Sequence, residues 1–236
     1  MKEIRVSLIE AIPRTATVKS FRFRPKERLE FIPGQFMQVI FDEAGRENKD
    51  LNKYLSFSSA PGKEHIEFTK RLSSSHFSQR LRDLKPGDEI LIKAPLGNCV
   101  FNPEYKKVFF LIGGIGITPV ISILEYITDK KLDTDVCLLY SNRTEEEIAF
   151  KPELDNWSAK NQNIKVTYAV SDCQPKDNAC IFGRIDKDLI SRRVCGLGER
   201  IIFVFGPPKM VEAMTNLCLE LSCDKGKIKT ESFIGY

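Results

Sequence analysis

The chain has 236 residues, enough for two compact domains, and its 42% hydrophobic and 29% charged content is that of a globular protein. No run of 18 apolar residues occurs, which excludes a spanning helix, and Lys2, Glu3 and Arg5 precede any apolar block, so no secretory or organelle signal is visible and a cytoplasmic protein is expected. A net charge of +4 is too small to mark a nucleic-acid binder.

The first hundred residues read as short strands broken by turn residues about every ten positions, the rhythm of a small antiparallel barrel. Strands are expected over 4–9, 18–23, 35–41, 54–58, 65–70 and 89–93, with turns at Pro33-Gly34, Ala60-Pro61-Gly62 and Pro86-Gly87-Asp88. One helix, 75–84, interrupts them, with serines placed to cap its first turn.

After Asn102-Pro103-Glu104 the pattern changes to buried strands alternating with helices, which predicts a parallel sheet covered on both faces. Strands are expected at 108–112, 136–140, 164–170, 201–205 and near 228–233. Helices are expected at 118–128, 144–160, 186–191 and 208–221. The fold class is therefore an antiparallel β-barrel over 1–102 followed by a doubly wound α/β domain over 103–236. Ligands of such a chain gather at the carboxyl ends of the parallel strands and in the cleft between domains.

The strongest local signal is Phe109-Phe110-Leu111-Ile112-Gly113-Gly114-Ile115-Gly116-Ile117-Thr118-Pro119. Glycines admit a ligand to the backbone, and the helix that follows offers its positive end to a pyrophosphate. The spacing departs from GxGxxG, since Pro119 stands at the third glycine, and a plain tight turn is the alternative. Two further strand ends, Tyr140-Ser141-Asn142-Arg143-Thr144 and Phe205-Gly206-Pro207-Pro208-Lys209-Met210, point the same way. Arg143 suits a ribose or phosphate, or is simply solvated. In the barrel, Lys53-Tyr54-Leu55-Ser56-Phe57-Ser58-Ser59-Ala60-Pro61 combines a cation, aromatic bulk and hydroxyls; alone it reads better as a barrel strand with serines facing water. Lys70-Arg71 before Ser73-Ser74-Ser75-His76-Phe77-Ser78 forms a candidate anion cradle.

The order of these motifs resembles the ferredoxin–NADP reductase-like flavoprotein superfamily over essentially the whole chain. Its Arg-x-Tyr-Ser/Thr flavin motif falls on Lys53, Tyr54, Leu55 and Ser56, and its Gly-x-x-Ser phosphate turn on Ser75, His76, Phe77 and Ser78. Its nucleotide loop falls on Gly113, Gly114, Gly116, Thr118 and Pro119. Its Cys-Gly-Pro-x-x-Met falls on Phe205, Gly206, Pro207 and Met210, and its C-terminal Glu-x-Phe on Glu231 and Phe233. Pro33-Gly34-Gln35-Phe36 and Pro95-Leu96-Gly97 are similar to the family's barrel turns. Four positions depart: Lys53 replaces arginine and loses its bidentate fork, Leu55 replaces the tyrosine against the flavin ring, Ser75 replaces glycine, and Phe205 replaces cysteine.

The resemblance implies an NAD(P)H-dependent oxidoreductase that binds FAD rather than FMN and passes electrons to a separate carrier such as ferredoxin or flavodoxin. Alternatives are a free-flavin reductase and a non-catalytic flavin-bearing subunit. Ser56 and Glu231 would be the polar pair at the reactive edge of the flavin, with Lys70 and the 75–78 turn on its phosphates. Ser141, Arg143, Ser171 and Asp172 would line the dinucleotide. Where NADP-preferring relatives carry Ser-Arg this chain has Ser171-Asp172, and an aspartate repels a 2′-phosphate, so NADH is favoured over NADPH. The terminal Tyr236 would return to the flavin, or is a frayed tail.

Residues 1–104 hold 18 Lys+Arg against 14 Asp+Glu, whereas 105–236 hold 18 of each. Arg22, Arg24, Lys26 and Arg28 at alternate positions suggest a stripe that meets an acidic carrier, or a solvated face. The seven cysteines lack a CxxC pair and read as reduced, apolar fillers; no metal is expected.

Overall fold

Inward and outward side chains alternate along the first hundred residues, and the structure, a computed structural model that describes residues 1–177 and 179–233, folds them into six antiparallel strands. They are β1 (Lys2–Pro13), β2 (Val18–Pro25), β3 (Phe36–Ile40), β4 (Asn52–Ser56), β5 (Ile66–Arg71) and β6 (Glu89–Leu96), with helix α1 (His76–Asp83) before β6. The order β4-β3-β6-β1-β2-β5 curls into a nearly closed barrel: Phe57 bridges Phe68, and the Ser58 N–H donates to the Glu67 carbonyl at 2.7 Å. Closure covers edges that would otherwise template aggregation. Phe21 and Phe23 both stack on Phe68 inside, at 5.6 and 5.3 Å.

The second part contains β7 (Lys107–Gly113), α2 (Ile117–Asp129), β8 (Asp135–Asn142), α3 (Lys151–Lys160), β9 (Ile164–Val170), β10 (Cys180–Phe182), α4 (Lys187–Arg193), β11 (Ile201–Gly206), α5 (Pro208–Glu220) and β12 (Ile228–Ser232). All strands are parallel, in the order β10-β9-β8-β7-β11-β12. The chain starts in the middle at β7, winds outward to β10, then returns to the other side of β7. The carboxyl end of β7 is thus the topological switch point, where open α/β sheets bind ligands. By contacts, Met1–Phe101 and Thr118–Tyr126 form one unit, while Asn102–Ile117 and the described residues from Ile127 onward form the other.

Two expectations are corrected. The helix expected over 144–160 splits into a short 3-10 turn, Glu145–Glu147, and α3, because Phe150 is left-handed (φ 63°) and Pro152 stands in the first turn of a new helix. The short strand β10 was not expected; three residues in a polar loop carry too little periodicity to show. In the basic stripe Arg22 reaches Glu10 at 2.7 Å and the buried Glu67 at 3.1 Å and Lys26 reaches Glu89 at 2.7 Å, whereas Arg24 and Arg28 stay exposed. Among the described residues no helix is long and apolar enough to cross a membrane.

Candidate functional site

The barrel gathers positive charge at the end of β5, where Lys53, Lys70 and Arg71 lie close enough to act on one another. Lys70 is only 7% exposed, and its Nζ donates to the Arg71 carbonyl at 3.0 Å. Burial pushes its pKa down to about 8, and the neighbouring charges of Lys53 and Arg71 push it the same way. A buried ammonium beside two like charges is stabilised by an anion, so the residues present fit a flavin phosphate. Period two along β4 puts Lys53 with Leu55 and Tyr54 with Ser56. Leu55 packs against the barrel core, Tyr54 is exposed and edge-on to Phe36 at 5.8 Å, and Ser56 is buried.

The serine turn forms as expected, with Ser75 capping α1 and accepting the Ser78 N–H at 3.3 Å. Ser78 is fully buried, and its hydroxyl accepts the Ser73 N–H at 3.1 Å. The Phe77 ring lies in the apolar core, which leaves its backbone alone to serve the turn, whereas His76 is exposed.

Lys70 makes a testable statement about pH. Its folded pKa lies below its ordinary 10.5, so the cofactor-free protein gains stability as pH rises from about 8 to 10.5 and lacks it below, by up to roughly 3 kcal/mol. A bound phosphate raises the folded pKa and removes that dependence. Because buried thiols and Tyr168 titrate in the same window with the opposite sign, the readout is the stability difference between wild type and Lys70→Met, which should rise from pH 7 to 10.5 without FAD and stay flat with it. An identical pH profile in Lys70→Met would refute the assignment.

In the α/β unit, β7 ends at Gly113 and a single 3-10 turn, Gly114–Gly116, leads into α2, whose first turn holds Thr118 and Pro119 and no acidic residue. A Cβ at Gly116 would lie 2.6 Å from the Phe205 carbonyl oxygen, so the loop rests directly on the backbone of β11. Met210 Sδ fills the space beside Gly113 and Gly206. Gly114, at φ +53°, has nothing within 4 Å of where a Cβ would stand. That open side next to a helix N-terminus fits a dinucleotide pyrophosphate.

Neighbouring strand ends converge on the same edge. Ser141 pairs with Gly113, and the Arg143 carbonyl accepts the N–H groups of Ser171 and Asp172 at 3.2 and 2.9 Å. Ser171 Oγ donates to Asp172 Oδ1 at 2.7 Å. On β12, Glu231 pairs with Phe205, and the Phe233 N–H donates to the Gly206 carbonyl at 3.0 Å. Glu231 Oε2 is buried without a hydrogen-bond partner among the described residues, and burial pushes its pKa up to about 7. Asn142 was not selected from sequence, yet both its amide atoms are buried and unpartnered among the described residues. Phe205 is fully buried, its ring tilted against Phe203 at 5.7 Å. Tyr236 lies outside the described residues. Glu145, Asp177 and Cys180 bring potential metal-ligand atoms within 4.8 Å, but Glu145 accepts the Lys176 and Asp177 N–H groups and Asp177 pairs with Lys151, which makes a loop clamp.

Two family models match in tandem, an oxidoreductase FAD-binding domain over residues 3–101 and an oxidoreductase NAD-binding domain over residues 110–216. The chain belongs to the oxidoreductases built from these two domains, and its fold is that of a ferredoxin–NADP+ reductase from Neisseria gonorrhoeae, with a TM-score of 0.81 at 20% identity over 98% of this chain and 99% of that one. NADH-cytochrome b5 reductase 2 of Debaryomyces hansenii is 33% identical over 173 residues, 71% of this chain and 58% of that protein. The protein of the same name from Mycosarcoma maydis is 29% identical over 171 residues, covering 70% of this chain and 49% of its own length, so the chain spans about half of these two relatives. NADH-cytochrome b5 reductase 1 of Mortierella alpina is 28% identical over 225 residues, 93% of this chain and 74% of the relative. The fold is also that of the cytochrome b5 reductase domain of Ulva prolifera nitrate reductase, with a TM-score of 0.85 at 23% identity over 98% of this chain and 97% of that one.

Proposed function

We propose that the protein oxidises NADH and delivers the electrons singly, through bound FAD, to a haem carrier of the cytochrome b5 kind. The observation that carries this reading is that one chain holds both a buried cation pocket around Lys70 and a glycine loop at the switch point of a parallel sheet. The names of the relatives support cytochrome b5 as acceptor rather than the ferredoxin or flavodoxin expected from sequence. When bound, FAD accepts a hydride equivalent from the nicotinamide and can release electrons one at a time. The chain's own work is binding and orientation. Lys53 and Lys70 neutralise the flavin's phosphates, and Ser56 offers a hydroxyl to the ring. The loop from Gly113 to Pro119 holds the dinucleotide pyrophosphate. Burial raises the Glu231 pKa to about 7, so its carboxyl can hold or give up a proton near neutral pH.

The test is direct: the purified chain should carry FAD, bleach with NADH and reduce cytochrome b5. Parallel assays with ferredoxin and flavodoxin rank the carriers. Failure to bind FAD or FMN would overturn the reading, and release of reduced flavin at each turnover would make it a free-flavin reductase instead.

Asp172 gives a second prediction. Its carboxylate stands at the end of β9, beside the Arg143 backbone, where it repels a 2′-phosphate and accepts hydrogen bonds from a ribose diol. The kcat/KM for NADH should exceed that for NADPH by about tenfold or more, and Asp172→Ser should narrow the ratio. A tenfold preference for NADPH would refute it.

A further inference from the structure

Helix α2 is apolar almost throughout: Ile117, Val120, Ile121, Ile123, Leu124 and Ile127 are all buried. Polar side chains run along one face, from Thr118 through Ser122 and Glu125 to Asp129, and two of them matter here, Ser122 and Glu125, three residues apart. Both act on the segment that leaves β4. Ser122 Oγ donates to the Ser59 carbonyl at 2.8 Å, in a buried bond, and Glu125 Oε2 accepts the Ala60 N–H at 2.5 Å. Glu125 Oε1 lies 3.3 Å from Lys63 Nζ. All these residues belong to the barrel unit.

The same segment is held from the barrel side. The Phe57 N–H donates to the Gln35 carbonyl at 3.2 Å, and the Ser58 N–H to the Glu67 carbonyl at 2.7 Å. Ser58 Oγ donates to Glu67 Oε1 at 3.1 Å, and Ser59 Oγ accepts the Glu67 N–H at 3.0 Å. Every residue from Phe57 to Ala60 is therefore fixed by a bond to another element. Ser56, immediately before them, is buried at the end of β4. Burying a serine and half-burying a carboxylate on this helix costs desolvation, which apolar side chains would avoid if the helix only had to dock. Both groups instead meet backbone atoms, which fixes the path of the chain.

We propose that Glu125 and Ser122 are positioning residues that set where the Ser56 hydroxyl stands against the reactive edge of the flavin. This rests on the FAD-dependent reading above and deepens it. Holding a reacting geometry to within a fraction of an ångström is worth one to two orders of magnitude in rate, which gives the expected size of the effect.

The test uses the full chain loaded with FAD and three variants, Glu125→Ala, Glu125→Gln and Ser122→Ala. Glu125→Ala should slow flavin reduction by NADH in a single turnover by roughly ten- to a hundredfold, leave KM for NADH within about twofold, and shift the visible absorption of bound FAD. Glu125→Gln, whose amide oxygen still accepts the Ala60 N–H, should recover most of the rate, and Ser122→Ala should slow reduction in the same direction. If Glu125→Ala does not retain FAD, Ser122→Ala at full occupancy decides the matter. Wild-type rates and spectra in Glu125→Ala and Ser122→Ala, even with a lowered Tm, would reduce both residues to helix docking and overturn the proposal, as would a glutamine variant as slow as the alanine one. A wild-type protein that binds no FAD, or is not reduced by NADH, overturns the functional reading itself and is seen before any variant is compared.

Discussion

Replacing Gly116 with alanine is expected to lower kcat/KM for NADH by roughly a hundredfold while FAD remains bound. The added methyl would stand 2.6 Å from the Phe205 carbonyl oxygen and 2.7 Å from its carbon, and both are backbone atoms of a central strand that cannot turn aside. Relief has to come from the loop, which carries the pyrophosphate-binding face with it. Gly113 is a milder case, because its obstacle is the end of the Met210 side chain, which has other rotamers. Gly114→Ala separates binding from packing. It meets nothing within 4 Å and pays only for its positive φ, so stability should fall by about 1 kcal/mol while NADH affinity falls further, since the methyl occupies the open side of the loop. Ferricyanide reduction with NADH measures all three. A Gly116→Ala protein within twofold of wild type would show that the loop does not bear on nucleotide binding.

Much of this was legible in sequence because it is periodic or turn-encoded. Period-two strands with Pro-Gly turns marked the barrel, and the apolar run from Val108 to Ile112 ending in glycines marked the start of a parallel sheet. Serine capping of α1 follows from local side-chain chemistry, and it forms at Ser75. The rest depends on contacts between residues far apart in the chain. Nothing local marks Arg22 as half of a buried pair rather than part of a surface stripe, since its partner Glu67 is 45 residues away. Ser122 and Glu125 look like ordinary polar interruptions of a helix until Ser59 and Ala60 are beside them. Phe77 stood in a motif, but its ring obeys the hydrophobic core instead. Glu231 was legible as a motif residue, whereas its burial, and hence its raised pKa, was not.

Arg200 is the clearest such case, and it carries the largest expected loss of stability. In sequence it is one more cation before β11; in the fold it is 2% exposed at the amino-terminal edge of the parallel sheet, opposite the glycine loop. Its guanidinium donates to three carbonyls, Cys195 at 2.9 Å and Val108 and Asp135 at 3.1 Å, and to Asp135 Oδ2 at 2.5 Å. A planar fork can serve these acceptors together, tying β7, β8 and the turn before β11, and lysine cannot. Arg200→Leu removes the cation and leaves the carbonyls and the Asp135 carboxylate short of donors. Because that carboxylate keeps some contact with water, the loss should sit near the lower end of the range for broken buried pairs, about 3 kcal/mol. Urea unfolding followed by tryptophan fluorescence reads it well, since Trp157 lies on α3 in the same unit. Arg200→Lys should recover less than half of the loss, and Arg200→Leu combined with Asp135→Leu should recover more, because the double change also removes the stranded charge. A loss below about 1 kcal/mol in Arg200→Leu would mean that water replaces the guanidinium without penalty.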